Sequence, residues 1–549
     1  MDRPGDQERH DLTGQTLQDD RHAPAPADGG DAARRRPGGV WTAPFAAVMA
    51  VLLARNAFLF TTPLHEDADM GANSILIEQA RRFTLLVGHY SREKFNHPGP
   101  AFLYVQSWGE SVFWAALHVV PAAWNGQLIA VYALNALFAA LVVAVGYGVT
   151  RSARAAAACC AALLAFAALI PATFSSDWMP YILIMPFLAF VVATASVAAG
   201  NLRDAWIAAL AGWFLINGNV AFLFFVPVIA AGCVVALGWP RRRTLLASSR
   251  SFFARQRRVW IPVLVISALF AFPIAANTAL HWPGEFGKYL SYSSKQGDNH
   301  LRQVVVYTLH FWWPGAARVG LLVPVAAYLV AGLLTWRLAP GPARRFCVSL
   351  LAFTTLTSVA FLLYAVVAID ELDPNGYFIG YFYWSAPVLF ILVIALAATE
   401  LLPGQVAGIA AVAAAVAAAT AFAVTPLTQF DLAHVDPETP STTGLVTDPT
   451  LAAGTAALAA KADGRPLVFR FGNNAWPAIT GLLVQSERTG VTACVANPSW
   501  AFMMTEQFIC TPAELREGES FVVYPPGPVP PGSAVVYRLR RGIVTAGGK

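Results

Sequence analysis

The sequence His65-Glu66-Asp67-Ala68-Asp69 follows closely after an apolar run at 41–62. That run is long enough to cross a bilayer, because a transmembrane helix needs about 20 mainly apolar residues. Carboxylates and an imidazole therefore stand where the chain leaves the membrane. Ionisable groups associated with membrane segments are costly to place and usually functional. The stretch predicts a membrane-anchored chain with a polar site at the bilayer surface.

The composition of the whole chain is that of a polytopic membrane protein. Of its 549 residues, 56% are hydrophobic and 13% are charged, and the mean hydropathy is +0.53. These values lie far from those of soluble domains. We predict an all-α membrane bundle of about 11 transmembrane helices within 40–424. The predicted spans are 41–62, 126–149, 155–172, 179–199, 205–217, 219–238, 259–280, 317–337, 346–368, 384–402 and 404–424.

The positions of arginine predict the orientation of the bundle. The loop at 239–258 carries seven arginines and no acid, and Arg34, Arg35 and Arg36 precede the first span. Basic residues beside spans are retained in the cytoplasm, so the N-terminus is predicted to be cytoplasmic. If 205–238 formed one helix instead of two, every later segment would change sides. The segments predicted outside are 63–125, 281–316, 369–383 and everything after about 425.

The N-terminal segment 1–39 has almost no large apolar side chains and is predicted to be a disordered cytoplasmic tail. It lacks the order of a cleaved signal, so the first span is predicted to be a retained anchor. The net charge of +5 follows from the arginine-rich loops, and no basic stripe with interleaved aromatics points to nucleic acid. We expect a multi-pass protein of the cell membrane, plasma or inner.

The segment 425–549 is predicted to be a small extracytoplasmic α/β domain. Strands are expected at 467–471, 491–495, 521–524 and 534–539, with a helix at 475–486. The segment has no glycine-rich phosphate loop or metal-spaced His and Cys set, so we expect it to shape an acceptor site. Outside the cell Cys494 and Cys510 can form a disulfide worth about 3 kcal/mol; two free thiols are the alternative.

The external segment 63–125 contains two predicted interfacial helices. Met70 to Phe83 has the pattern of an amphipathic helix lying at the membrane surface. Ala101 to Val120 is apolar but interrupted by polar residues, and counting it as a span would reverse the arginine pattern downstream. The predicted site therefore lies in a roof of shallow helices that a lipid headgroup can reach.

This order of features resembles the GT-C class of membrane glycosyltransferases, which includes protein O-mannosyltransferases and lipid A aminoarabinose transferases. Members typically show an Asp-Glu pair in the first external loop and a later His-Pro-Pro. Here the corresponding residues are Glu66-Asp67-x-Asp69 and His97-Pro98-Gly99-Pro100. The resemblance covers roughly 41–240 well and the rest only in architecture, so it points to a class more than to a substrate.

The resemblance implies transfer of a sugar from a polyprenyl-phosphate donor to a hydroxyl on the outer face, usually with inversion. The acceptor would be an envelope glycan, a lipid or a protein. A carboxylate can accept the proton of the attacking hydroxyl. We assign this role to Asp67, with Asp69 as the close second, because alternate residues of an extended segment face opposite sides. Strict alignment to the Asp-Glu pair would place Glu66 first.

The lipid phosphate that leaves needs cationic or hydrogen-bonding partners. Arg92 and His97 are nearest to the acids in sequence, and the loop after the seventh span adds Lys288, His300 and Arg302. Arginine binds phosphate in a bidentate manner, which favours Arg92 and Arg302. The His97-Pro98 pair has an equal alternative as a simple turn between helices.

A divalent cation, Mg²⁺ or Mn²⁺, could be shared by Asp67 and Asp69 with donor phosphate oxygens. We favour a metal-free site because only one acidic cluster is strong.

The principal alternative function is a transporter or flippase for a lipid-linked or small polar substrate; an inactive scaffold is a third. Transporters usually carry ionisable groups at the midplane and paired broken helices, which this sequence does not show. For Asp177 we expect helix capping or hydration, with binding of the acceptor sugar as the alternative.

Overall fold

The structure is a computed structural model that describes residues 40–238, 256–293, 299–312, 320–369, 372, 374–425 and 448–547. The predicted tail at 1–39 and most of the arginine-rich loop at 239–258 lie outside the described residues.

The described chain is mostly helical. The helices before the C-terminal region are α1 Thr42–Arg55, α2 Ala68–Arg81, α3 Ala101–Gly109, α4 Ala123–Thr150, α5 Ala153–Leu169, α6 Ala172–Ser175, α7 Met179–Ile182, α8 Ile184–Ala198, α9 Ala205–Gly218, α10 Phe222–Gly238, α11 Arg257–Leu280, α12 Gly284–Ser293, α13 Leu301–His310, α14 Leu322–Arg337, α15 Pro342–Ala368, α16 Ser385–Leu401 and α17 Gly404–Val424. Short 3₁₀ segments cover Ala57–Phe60, Leu202–Asp204 and Pro374–Trp384, and a π-helical segment covers Glu110–Ala116.

Each of the eleven predicted spans coincides with helical structure, but their number as membrane crossings stays a prediction. Among the described residues, six helical stretches are long and apolar enough to cross a membrane, and four apolar helices are shorter. The chain between 205 and 238 forms two helices, because the extended backbone of Asn219 interrupts the helical path. The spans at 205–217 and 219–238 are thus separate helices, as the arginine pattern requires.

The core of the bundle forms around α4, which packs on α1, α3, α5 and α8. Two glycines allow α3 to approach α4 closely. A side chain added at Gly126 would meet the carbonyl oxygen of Gly109 at 2.7 Å, too close for any carbon atom. The segment at 101–116 is therefore built into the bundle at this crossing.

The predicted amphipathic helix exists as α2, but its polar face is not exposed. Asn73 and Glu78, expected on the polar side, are 4% and 8% exposed. The cause is a helix of the C-terminal region, Trp476–Arg488, which packs on α2 in addition to α3 and covers it. The second predicted interfacial helix ends at Ala116 rather than Val120, and its Glu110 is fully buried.

The C-terminal region is a five-stranded sheet flanked by helices. Its elements are α18 Thr450–Ala462, β1 Leu467–Phe471, α19 Trp476–Arg488, β2 Ala493–Val495, α20 Ala501–Met504, α21 Pro512–Glu517, β3 Glu519–Tyr524, β4 Val535–Leu539 and β5 Gly542–Ala546. The strand order is β2-β1-β3-β5-β4, with β1 parallel to β2 and β3, and β5 antiparallel to its neighbours. A disulfide joins Cys494 to Cys510, the pair named from the sequence.

Candidate active site

Asn125, near the start of α4, holds the acidic stretch at the end of the bundle. Its side-chain amide donates to the carbonyl oxygens of Leu59 and Thr62, both at 2.8 Å. Its carbonyl oxygen accepts from the backbone N–H of Leu64 at 3.0 Å. One buried asparagine can make all three bonds because its amide carries both donors and an acceptor. These bonds fix the direction in which residues 65–69 leave the first helix.

Glu66 is fully buried and is bound by two side chains. Arg488 donates to both of its oxygens, at 2.8 Å and 2.5 Å, and the Ser74 hydroxyl donates to one at 2.6 Å. Burial acts to raise the pKa of Glu66, but the Arg488 charge and these hydrogen bonds hold the pKa below its ordinary value. An ionised carboxylate so fully engaged is a poor proton acceptor, so Glu66 acts as an anchor for the C-terminal domain.

A second buried carboxylate shares this anchor. Glu110 lies 3.7 Å from Arg488, pairs with Arg81 at 3.1 Å, and accepts from the Gln127 amide at 2.7 Å. Burial raises the pKa of Glu110 to about 6 despite the opposing charge of Arg488. Because these residues come from α2, α4, the π-helical segment and α19, the network ties the first external segment to both the bundle and the C-terminal domain.

Asp67 lies at the N-terminal boundary of α2 and faces the C-terminal domain. It is 6% exposed, and its Oδ2 lies 3.1 Å from Nε of Arg541, the residue immediately before β5. Burial raises the pKa of Asp67 to about 6; Arg541 and Arg540 oppose this rise, while Asp448 and Glu66 add to it. A carboxyl with such a pKa is ionised near neutral pH and still basic enough to take a proton.

Asp69 is oriented by two neutral donors. The Tyr90 hydroxyl donates to Oδ1, and the Trp178 indole N–H donates to Oδ2 at 3.0 Å. Tyr90 comes from the same external segment, whereas Trp178 comes from the loop before α7. Both oxygens are thus directed by groups that carry no charge, whereas Glu66 and Asp67 each contact an arginine.

Asp177 is buried rather than hydrated or capping a helix, contrary to the expectation from the sequence. It is 1% exposed, and its Oδ2 accepts from the Trp124 indole at 2.7 Å. Its Oδ1 has no hydrogen-bond partner among the described residues. Burial raises the pKa of Asp177 to about 7, with the Trp124 bond opposing. The adjacent residue, Trp178, donates to Asp69. The buried acid Asp177 is therefore the chain neighbour of a residue that binds the buried acid Asp69.

His97 acts as a turn residue in this structure. Its Nδ1 accepts from the backbone N–H of Val220 at 3.3 Å, and its backbone bonds to His89 and Gly88 across the hairpin. Burial lowers the pKa of His97 to about 3, helped by His89, so the ring is neutral. A phosphate contact from His97 stays a prediction, and it would use a neutral N–H rather than a charge.

The other residues predicted to bind phosphate are exposed. Arg92 lies over the Trp476 ring, with its guanidinium carbon 6.0 Å from the ring centroid. It also interacts with the Tyr90 hydroxyl, where it opposes the rise in the pKa of Tyr90 that burial causes. Lys288 pairs with Glu285 at 2.8 Å. His300 and Arg302 lie at the start of α13; among the described residues no ion pair joins them to the acids. Only Arg92 is therefore brought to the site by contacts seen here.

A metal site shared by Asp67 and Asp69 stays a prediction. Within the described ranges, no group of three or more His, Cys, Asp or Glu side chains is placed to hold a metal ion. The two carboxylates also have different partners, Arg541 for Asp67 and Tyr90 with Trp178 for Asp69. A cation bridging them would have to replace or share these bonds.

Two comparisons by sequence return nothing: no protein-family model and no curated protein matches this chain. Similar solved structures exist. The crystal structure of ArnT from Cupriavidus metallidurans bound to undecaprenyl phosphate aligns with a TM-score of 0.50 and 14% identity, over 93% of this chain and 98% of that one. The apo structure of the same protein aligns with a TM-score of 0.49 and 14% identity, over 92% and 97% of the two chains.

The likeness to ArnT, an aminoarabinose transferase of the GT-C class, establishes the fold. It extends over nearly the full length of both chains, so the C-terminal domain belongs to the shared architecture as well as the bundle. The resemblance to the GT-C class, inferred from the sequence of the first external segment, is confirmed at the level of the fold.

Proposed function

We propose that this chain is a membrane glycosyltransferase that moves a sugar from a polyprenyl-phosphate donor to an acceptor hydroxyl on the outer face of the cell membrane. The observation that carries the proposal is the pair of buried carboxylates, Asp67 and Asp69, at the start of α2 under the C-terminal domain. The fold shared with ArnT, crystallised with undecaprenyl phosphate, supports the class of donor.

The proposed base is Asp67, with Asp69 as the alternative. The raised pKa of Asp67, about 6, suits a group that is ionised in the resting enzyme and takes a proton from the attacking hydroxyl. Both acids are nearly closed off from solvent, which strengthens electrostatic interactions within the site. Attack opposite to the leaving phosphate would invert the anomeric centre.

The proposed donor contacts are Arg92 for the phosphate, with Lys288, His300 and Arg302 as further hydrogen-bond donors of the predicted outer segments. An apolar groove of about 260 Å³ offers room for part of an isoprenoid chain. It is lined by side chains of α13, α14 and α15 and by Tyr383. The segment of Tyr383 also carries Phe378, whose ring lies 5.7 Å from that of Trp178, the partner of Asp69. The segment Pro374–Trp384 therefore lines the groove with one residue and contacts a partner of Asp69 with another.

The test is the pair of variants D67N and D69N in purified full-length protein, supplied with a lipid extract as donor source and envelope material as acceptor. We expect the variant of the base to lose transfer by about a hundredfold or more while still retaining the polyprenyl-phosphate lipid. E93Q is the matched control, because Glu93 is an exposed acid of the same segment. Full transfer by both variants would overturn the proposal. If the wild type transfers no sugar but moves lipid between vesicle leaflets, and the variants lose this movement, the result would favour the flippase.

A further inference from the structure

Aromatic side chains form a continuous strip from Asp69 across the C-terminal domain. Tyr90, whose hydroxyl donates to Asp69, lies 6.5 Å from the ring of Phe502. Phe502 stacks on Trp500 at 6.0 Å and 21°, and Trp500 contacts Phe471 at 5.0 Å. These distances fall within the range of favourable ring pairs. We call Tyr90, Phe502, Trp500 and Phe471 the aromatic strip.

The strip lies where the parallel strands of the sheet end. Phe471 is the last residue of β1, and Trp500 and Phe502 follow β2 within a short helical turn. From β1 the chain first goes to β2 on one side and then to β3 on the other. In open α/β sheets, ligands bind outside the carboxyl ends of the strands at such a change of direction. The topology marks this edge as a binding position without reference to the rings.

Three rings of the strip are half-buried: Phe471, Trp500 and Phe502 pack on the core of the domain with one part and reach the surface with the other. Two exposed asparagines, Asn473 and Asn474, follow Phe471 after a single glycine. Each amide offers donors and an acceptor to a ligand. Ring surfaces and amides thus both lie near the carboxyl end of β1.

This combination suits a saccharide. One face of a sugar ring presents C–H groups, which pack on the electron-rich face of an aromatic ring. Its hydroxyls need donors and acceptors at the rim, as the asparagine amides supply. An isoprenoid chain would have no use for the amides.

We propose that the aromatic strip binds the saccharide chain of the acceptor and presents its terminal hydroxyl to the carboxylates at 67 and 69. The inference rests on the proposed function and names the acceptor class and the acceptor site. A glycan and the sugar portion of a glycolipid share this chemistry. An acceptor that is a protein would not need the strip.

The test uses full-length protein in nanodiscs, with W500A and F502A as the changes and W500F as the conservative variant. W108A is the matched control, since Trp108 is 63% exposed on α3, outside the strip. Binding of tritiated, delipidated envelope polysaccharide and of envelope glycolipid in micelles is measured separately from transfer. We expect each truncation to weaken saccharide binding about fivefold and to raise the acceptor KM to a similar extent, with the donor KM unchanged. W500F should retain most of the binding.

The outcomes separate the two proposals. Binding of polysaccharide alone, or of glycolipid alone, identifies the source of the saccharide and supports the inference. Suppose that the wild type transfers sugar, and that W500A and F502A are folded by thermal unfolding and show unchanged saccharide binding and acceptor KM. This result would overturn the role of the aromatic strip and leave the proposed glycosyltransferase activity intact. Strip-dependent binding of saccharide by a protein that transfers no sugar would overturn the proposed function and leave the strip standing.

Discussion

Replacing Arg541 by methionine removes the cation paired with Asp67. The pair is close, 3.1 Å between Nε and Oδ2, and Asp67 is almost wholly buried. The pKa of Asp67 is about 6 with Arg541 present, because burial raises it and Arg541 limits the rise. Without this charge the ionised form is less favourable, so the pKa must increase.

The expected size follows from the location of the pair. An adjacent opposite charge usually changes a carboxyl pKa by roughly one to three pH units, and the lower half of that range applies because Arg540 remains. If the pKa of Asp67 rises from about 6 to about 7.5, the ionised fraction of Asp67 at about pH 6.5 falls from roughly three quarters to one tenth. Transfer should then fall about eightfold at this pH and scarcely at all at about pH 9.

The assay is the rate of sugar transfer between pH 5 and pH 9 for wild type, R541M, R541K and R538A. R541K keeps a charge and should shift the profile less than R541M does. Arg538 is an exposed arginine of β4 without a carboxylate partner among the described residues, which makes R538A the matched control. If the transfer rate of R541M is lower at every pH but its pH midpoint equals that of the wild type, the role of Asp67 as the base is refuted. An equal shift in R538A would refute the specific pairing.

Two further predictions concern stability. E66Q should destabilise the protein by about 3 kcal/mol because it removes the carboxylate that Arg488 contacts with both terminal nitrogens and leaves only Glu110, at 3.7 Å, near the buried cation. E66Q/R488M should cost less than the sum of its single changes, measured by thermal unfolding, and strict additivity would count against the pair. Reduction of Cys494–Cys510 should destabilise the C-terminal domain by about 3 kcal/mol, since the bridge closes a loop with a sequence separation of 16. Proteolysis in increasing urea measures this change, and C494A/C510A, which has no bridge, should not respond to reductant.

The elements that were predicted well are those with a local cause. The apolar runs became helices because their length and composition suit no other structure in a membrane. β1 was predicted with its observed bounds, Leu467–Phe471, because a short apolar run rich in β-branched and aromatic residues has a strand pattern. β5, Gly542–Ala546, was not predicted, because a five-residue segment beginning with glycine carries little pattern of its own. It is a strand because it fits between β3 and β4.

The partners of the acids could not be predicted because they are remote in sequence. Arg488 is separated from Glu66 by 422 positions, and no motif surrounds it. The predicted exposure of the polar face of α2 was wrong for the same reason: the residue pattern suits a membrane surface, and only packing of the C-terminal domain makes α2 an internal helix. Trp178 had a detectable signal, since an Asp-Trp pair between two apolar runs is unusual, but nothing local indicated Asp69 as its partner.

The separation between Glu66 and Arg488 has a consequence for biogenesis. Acids near the beginning of the chain receive their cations from its last portion, so they remain uncompensated while the ribosome completes the intervening helices. Closing so long a loop is slow compared with local helix formation. The protein should therefore reach its final structure only after its last domain has been synthesised and folded. A chain truncated before residue 488 would insert its helices but leave the outer acids exposed and unorganised.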